Sequence, residues 1–276
     1  MARETLAFSR DNEAAARILL QHWIIRDQFG FLLDPSVPID QKDLKLADLA
    51  CGSGMWLLEL AETTPSTWQL DGFDISPAHF PKKADVSENL SFAALDSLAP
   101  VPPHLRGVYD VVHSRGFMLY VPGGDPSGLL HNIMDMLKPG GYLQLEELDL
   151  MNMYVQGEPG KWPHCERYIK QGKRWLQSRH IDASWTSALD KAVRDQGLEV
   201  SKYHKYAFRP SLQYPWTVMQ TMATKDFILN DIIPTCYQVE NGLTEDEWMQ
   251  TLHGFVEETQ QGARVLMDIS ICVVKK

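Results

Sequence analysis

Along residues 9–29, Ile18, Leu19, Trp23 and Ile24 recur at helical spacing, and Ser9 or Asp11 stands where a helix needs a cap. An amphipathic helix is predicted there. Pro35 and Pro38 make residues 32–43 a connector. From residue 44 the rhythm changes. Short apolar runs at 44–49, 68–76, 90–96, 107–115 and 141–149 read as strands. Helical patterns lie among them at 55–62 and 126–137, the second stopped by Lys138-Pro139-Gly140-Gly141. Strands alternating with helices predict a parallel, doubly wound α/β sheet.

The alternation lapses after residue 149. Residues 150–180 carry Trp162, Pro163, His164, Tyr168 and Trp175, and read as a cap or lid. A helix is predicted at 182–196, a sixth strand at 198–208, two helices near 216–233 and 244–261, and a last strand at 264–274. The expected organisation is an N-terminal helical cap (1–43), a ligand-binding core (44–149), a cap or lid insertion (150–181), and the rest of the core (182–276) with a helical insertion at 211–262.

Charge narrows the partners. The chain of 276 residues has a formal net charge of −10. Its basic pairs are Lys82-Lys83, Lys173-Arg174 and Lys275-Lys276, too scattered to grip a phosphate backbone. Nucleic acid and membrane are therefore not expected as partners, and a neutral or cationic small molecule suits the balance better. Cys51, Cys165, Cys236 and Cys272 form no C-x-x-C pair, which points away from zinc and redox motifs and toward a reducing compartment. The opening MARETLAFSRDNE lacks an apolar stretch of signal type, and no apolar run nears 18 residues. A cytoplasmic protein is expected.

Candidate chemistry clusters at the ends of the predicted strands. Asp48-Leu49-Ala50-Cys51-Gly52-Ser53-Gly54 is a strand running through G-x-G into a helix, which lets a ligand approach bare backbone. A dinucleotide site wants a third small residue where Leu57 stands, so the turn suits a ligand without phosphates. Asp74, 20 residues after Gly54, is placed to accept from two ribose hydroxyls, or to act as a strand-end cap. Asp96 is placed for an adenine amino group or for an N-cap. His113 in YDVVHSR, and Glu146-Glu147 in LKPGGYLQLEE, should lie near the same edge.

LADLACGSG, GFDIS, LDSL, YDVVHSR and LKPGGYLQLEE together resemble class I S-adenosylmethionine-dependent methyltransferases. They are most similar to the fungal secondary-metabolite group that includes the gliotoxin-pathway N-methyltransferase and the velvet-associated regulator LaeA. FSRDNE…QHW adds to the likeness, which covers roughly residues 8–150. The resemblance implies a Rossmann-like seven-stranded class I methyltransferase sheet with helical cap elements, and S-adenosylmethionine as cofactor. It places Gly52 and Gly54 at the cofactor's methionine part, Asp48 at its amino group, Asp74 at the ribose and Asp96 by the adenine, with Ser53, Ile75, Ser97 and His113 as further cofactor-binding residues. Two stretches depart from the family. Relatives often carry G-T-G-T-G where this chain has Ala50-Cys51-Gly52-Ser53-Gly54, and Trp where it has Leu145.

Methyl transfer is displacement at a sulfonium methyl, so alignment and water exclusion dominate and no metal is expected. His113 is the first candidate for a base, a substrate orienter or a cofactor contact; Glu147 and Tyr120 follow. His22, His164 and His204 are further candidates for an acceptor pocket built from the N-terminal helix and segments 150–180 and 211–262, whose aromatic side chains suit an aromatic or polycyclic acceptor or simply form cap core. No D/N-P-P-Y follows the fourth strand, which argues against a nucleic-acid amino-methyltransferase. Two other functions fit the pattern. One is a cyclisation or rearrangement on the same fold, with the cofactor as a prop or absent; the other is a non-catalytic regulator.

Overall fold

A computed structural model describes residues 9–276. Residues 1–8 of the expected N-terminal cap, Phe8 of FSRDNE among them, lie outside the described residues. Helix α1 (Asn12–Phe29) is capped by Asp11, whose side chain accepts from Ala14 N at 2.9 Å.

The alternating region folds as β1 (Lys45–Leu49), α2 (Met55–Thr63), β2 (Gln69–Asp74), β3 (Leu90–Ala94), β4 (Tyr109–Arg115), α3 (Ser127–Met136) and β5 (Leu137–Leu148). A short β6 (Tyr154–Val155) and the cap helix α4 (Pro163–Ser178) follow, then α5 (Leu189–Arg194) and β7 (Glu199–Tyr206). The last part comprises α6 (Pro210–Phe227), α7 (Glu245–Gln260), β8 (Val265–Leu266) and β9 (Ile269–Lys275). Seven strands form one sheet in the order β3-β2-β1-β4-β5-β9-β7.

The sheet is mixed rather than wholly parallel. Strands β1 to β5 pair in parallel, but β9 runs antiparallel to both β5 and β7. The register supplies the reason. Ile269 starts β9 beside Tyr206 at the end of β7 and Leu148 at the end of β5. Helices α6 and α7 therefore leave and re-enter at one edge, with no crossover, and the returning strand must run backwards.

Three predicted elements differ in detail. The helix expected at 182–196 is a 3-10 turn (Ser184–Ala188) followed by the short α5. The helix expected at 216–233 begins earlier, at Pro210, because proline is tolerated in a first turn, and ends in a π turn (Ile228–Ile232). The last strand is split, since β8 pairs with β6 in a separate ribbon.

Each sheet face carries its own apolar core. Leu57, Trp68 and Leu70 belong to one and Leu129, Ile133 and Leu189 to the other. A third core at the carboxyl edge joins α1, α4, α6 and α7 through Ile25, Trp175, Trp216 and Phe255. Trp175 and Trp216 are thus structural members of the cap, and the cap roofs the edge where the parallel strands end.

Candidate active site

A cavity of about 670 Å³ follows the carboxyl ends of β1, β2, β3 and β4, beneath α1 and the cap. That size suits a small-molecule site. Of the residues singled out from the sequence, Asp48, Gly52, Ser53, Asp74, Ile75, Asp96, Ser97, His113 and Tyr120 line it. Ile75 is 58% exposed despite being apolar, because it faces this space.

The turn after β1 explains how the edge is kept open. Ala50, Gly52 and Gly54 all have positive φ, at 56°, 54° and 72°. Cys51 N donates to Phe73 O at 3.0 Å, and Gly52 N to Asp74 Oδ2 at 3.0 Å. Asp74 Oδ1 also accepts from Ser76 N at 2.9 Å. Asp74 therefore clamps the turn from the neighbouring strand, and each carboxylate oxygen retains a further acceptor site. Asp96 is braced similarly, its Oδ1 accepting from Leu98 N at 2.9 Å.

Gly54 has a different role from the one expected. It does not line the cavity, and a Cβ there would stand 2.4 Å from Phe92 Cε1. The same ring covers Gly72, where a Cβ would meet Phe92 Cδ1 at 2.5 Å and Leu57 Cδ1 at 3.0 Å. Close helix–strand packing is thus achieved by omitting a side chain on β2. This is why bulky Leu57 can stand where a dinucleotide site places a small residue.

Beneath the turn lies a buried charge network. His113 Nδ1 is 2.7 Å from Asp48 Oδ1, and its Nε2 is 3.4 Å from Glu146 Oε1. The indole of Trp56 stacks on the imidazole at 3.9 Å. Burial opposes the histidine's charge, but the two carboxylates outweigh it and hold its pKa above the ordinary value. Burial would likewise raise Glu146, but Arg115 and His113 bring it down to about 2. Arg115 Nε donates to Glu146 Oε2 at 2.6 Å. A protonated imidazole has no lone pair with which to accept a proton, so this His113 is not poised as a base.

His22 is held in the opposite state. It lines the cavity, with Nε2 at 3.1 Å from Glu59 Oε2 and Nδ1 at 3.3 Å from Arg115 Nη1. Burial and then the Arg115 charge push its pKa down to about 4, against the pull of Glu59. The neutral ring donates from Nε2 and accepts at Nδ1, so both nitrogens are engaged.

Glu146 and Glu147 lie behind the cavity wall rather than on it, Glu146 in contact with the lining residues His113 and Arg115. Successive strand residues point to opposite faces. Glu146 joins the network, while Glu147 accepts from Phe117 N at 2.8 Å and Met118 N at 3.1 Å. Burial raises Glu147 to about 8, despite those two donors. It suspends the loop whose Phe117, Met118 and Leu119 form one cavity wall. His164 instead packs against Gly254, and His204 against Tyr206 at 4.1 Å between ring centres; neither lines the space.

Sequence reasoning missed Arg17, Trp56 and Arg115 on this cavity. Arg115 had a signal, since it lies two residues after His113 on the same strand and thus on the same face. A second, apolar cavity of about 110 Å³ adjoins the first, with Arg17, Gln21, Met118, Leu119 and Leu148 common to both linings. Its walls come from α1, α4, α6 and the segment after β5, the parts from which an acceptor pocket was expected. Among the described residues, no group of three or more His, Cys, Asp or Glu is arranged to hold a metal, and no helix is long and apolar enough to cross a membrane.

Comparison with known proteins fits this geometry. Among curated relatives, methyltransferase grgD of a Penicillium species is 37% identical over 138 residues, 48% of this chain and 46% of that protein. N-methyltransferase verN of Clonostachys rogersoniana is 29% identical over 161 residues, 58% of this chain and 56% of that protein. The chain spans about half the length of the curated relatives it matches. Haemonchus contortus phosphoethanolamine N-methyltransferase 2, solved with phosphomonomethylethanolamine and S-adenosylhomocysteine, shares the fold with a TM-score of 0.54. Its identity is 14%, covering 97% of this chain and 59% of that one. The methyltransferase domain family matches residues 20–203, well over half of the sequence, and the chain belongs to that family.

Proposed function

We propose that the chain binds S-adenosylmethionine in the larger cavity and transfers its methyl group to a small-molecule acceptor. The supporting observation is the row of carboxylates Asp48, Asp74 and Asp96, one at or just past the end of each of β1, β2 and β3, beside the glycine turn. The donor set fits the cofactor. Asp48 suits an ammonium, Asp74 suits a ribose diol through its remaining lone pairs, and Asp96 suits an adenine amino group. When bound, S-adenosylmethionine supplies a methyl already activated by positive sulfur. The names of the relatives support methyl transfer, and the resemblance drawn from the sequence favours secondary metabolism as its setting.

The protein's residues then have three tasks. The turn and Asp74 hold the cofactor's nucleoside end. The protonated His113 fixes Asp48 from behind, and the Phe117–Leu119 wall excludes water. Because His22 and His113 are both engaged, the site suits an acceptor that brings its own lone pair, such as a neutral amine. Met, Tyr and Phe side chains around the smaller cavity suit an aromatic or polycyclic body. The four cysteines are free and buried, which suits a reducing, cytoplasmic setting.

Calorimetry with S-adenosylhomocysteine tests the reading. Wild type should bind saturably, and Asp74→Asn should weaken binding about tenfold or more through loss of charged hydrogen bonds. No binding by wild type, or equal binding by the variant, would overturn it.

A further inference from the structure

Helix α4 contains a glycine, Gly172, buried in its interior. Glycine there forfeits helix stability relative to alanine, so its presence calls for a steric reason. Gly254 in α7 has one, because a Cβ would strike His164 Cγ at 2.1 Å. Gly172 has none. Among the described residues, a Cβ at Gly172 would find Tyr168 Cε2 at 4.0 Å as its sole neighbour within that range, an ordinary contact. The space its side chain would occupy belongs to the smaller cavity.

That cavity is mainly apolar, with Arg17, Gln21, Lys173 and Gln220 as its polar lining, and adaptable. Tyr168, Ile169 and Leu176 line it from the Gly172 face of α4, and Met219 and Phe227 from α6. Met118, Met153 and Met267 close it elsewhere, and with Met219 they give four flexible thioether side chains. Its volume of about 110 Å³ is somewhat smaller than the roughly 150 Å³ apolar cavities that hold benzene. Its wall is continuous with the larger cavity through Met118, Leu119 and Leu148.

We infer that Gly172 keeps open a side pocket for one apolar substituent of the acceptor, about the size of a single ring or a short branched alkyl group, and so determines specificity. The inference rests on the methyl-transfer reading of the larger cavity. A substituent seated under α4 would orient the acceptor's nucleophile toward the mouth shared by the two cavities, converting apolar burial into alignment. The four methionines would let the pocket accept substituents of related shape.

Toluene is the probe, followed through carbon-13-labelled methionine methyl groups in protein saturated with S-adenosylhomocysteine. Wild type should show saturable shifts confined to the methionines around Gly172. Gly172→Leu should weaken toluene binding at least tenfold while S-adenosylhomocysteine affinity stays within about twofold. Gly172→Ala should melt at a higher temperature than wild type and still bind toluene, showing that the space is real and the fold intact. No saturable toluene binding by wild type, unchanged binding by Gly172→Leu, a lowered melting temperature for Gly172→Ala, or displacement of toluene by S-adenosylhomocysteine would each overturn the inference. Failure of S-adenosylhomocysteine itself to bind would instead overturn the reading of the larger cavity, and the toluene measurement can still be made without it.

Discussion

Ala50 stands at φ 56°, a position where the resemblance drawn from the sequence leads to glycine. For an L-residue with a Cβ the left-handed region costs about 1–2 kcal/mol. Replacing it by glycine also increases the freedom of the unfolded chain, which opposes the gain by about 0.4–1 kcal/mol. Ala50→Gly should therefore stabilise the protein by about 1 kcal/mol. For a domain of this size that corresponds to a rise of roughly 2–4 °C in Tm. Scanning calorimetry at several heating rates measures it and checks reversibility. The mirror experiment is Gly52→Ala, at φ 54° with, among the described residues, only Ile18 Cγ2 near the added Cβ, at 3.7 Å. It should destabilise by about the same 1 kcal/mol, because strain rather than collision is added. Ala50→Gly should leave S-adenosylhomocysteine affinity nearly unchanged, since the strained turn is the same in free and bound protein and its cost cancels. A lowered Tm for Ala50→Gly, or a raised one for Gly52→Ala, would refute the assignment of strain to this turn.

Gly54→Ala should cost about 3 kcal/mol in urea unfolding, because overpacking against Phe92 adds to the positive φ, and Phe92→Leu in the same chain should restore part of it. His22 takes up its proton at about pH 4 when folded but at 6.5 when exposed, so its contribution is full above 6.5 and is lost as pH falls through 4. His22→Gln should flatten the fall of Tm across that interval, and an unchanged slope would count against a buried neutral ring. Glu147 shifts the other way, from 4.5 to about 8, so its contribution is full below 4.5 and is lost as pH rises through 8. Glu147→Gln, with one amide oxygen for two backbone donors, should lose about 1–3 kcal/mol at pH 5, and the gap should narrow toward pH 8 when followed by denaturant titration.

The strand ends were legible because short apolar runs stop where the sheet stops, and this put Asp48, Asp74 and Asp96 at strand ends. The cap was not. A helix-interior glycine reads identically whether it is filled by a neighbour, as Gly254 is by His164, or left open, as Gly172 is. The difference depends on how α4 meets α6, some forty residues apart in sequence. The reversal of β9 was hidden for a related reason: helices that roof an edge and helices that cross a face have the same amphipathic pattern.

The histidines carry the lesson furthest. From sequence His113 is open to three roles, base, substrate orienter or cofactor contact, since an imidazole at the carboxyl edge titrates near neutrality, yet its state follows from strand pairing. In the β1–β4 register His113 lies beside Asp48, and in the β4–β5 register Arg115 lies beside Glu146. Parallel strands in register turn paired residues to the same face, so the strand order β1-β4-β5 already brings one imidazole and one guanidinium against two carboxylates. Given that strand order, both ion pairs follow from the alignment of DLACG, VHSR and QLEE. His22 reaches the same network from α1, where helical packing sets its position and Arg115 faces it as a cation. One guanidinium thus helps keep His22 neutral while the carboxylate it holds, Glu146, helps keep His113 charged.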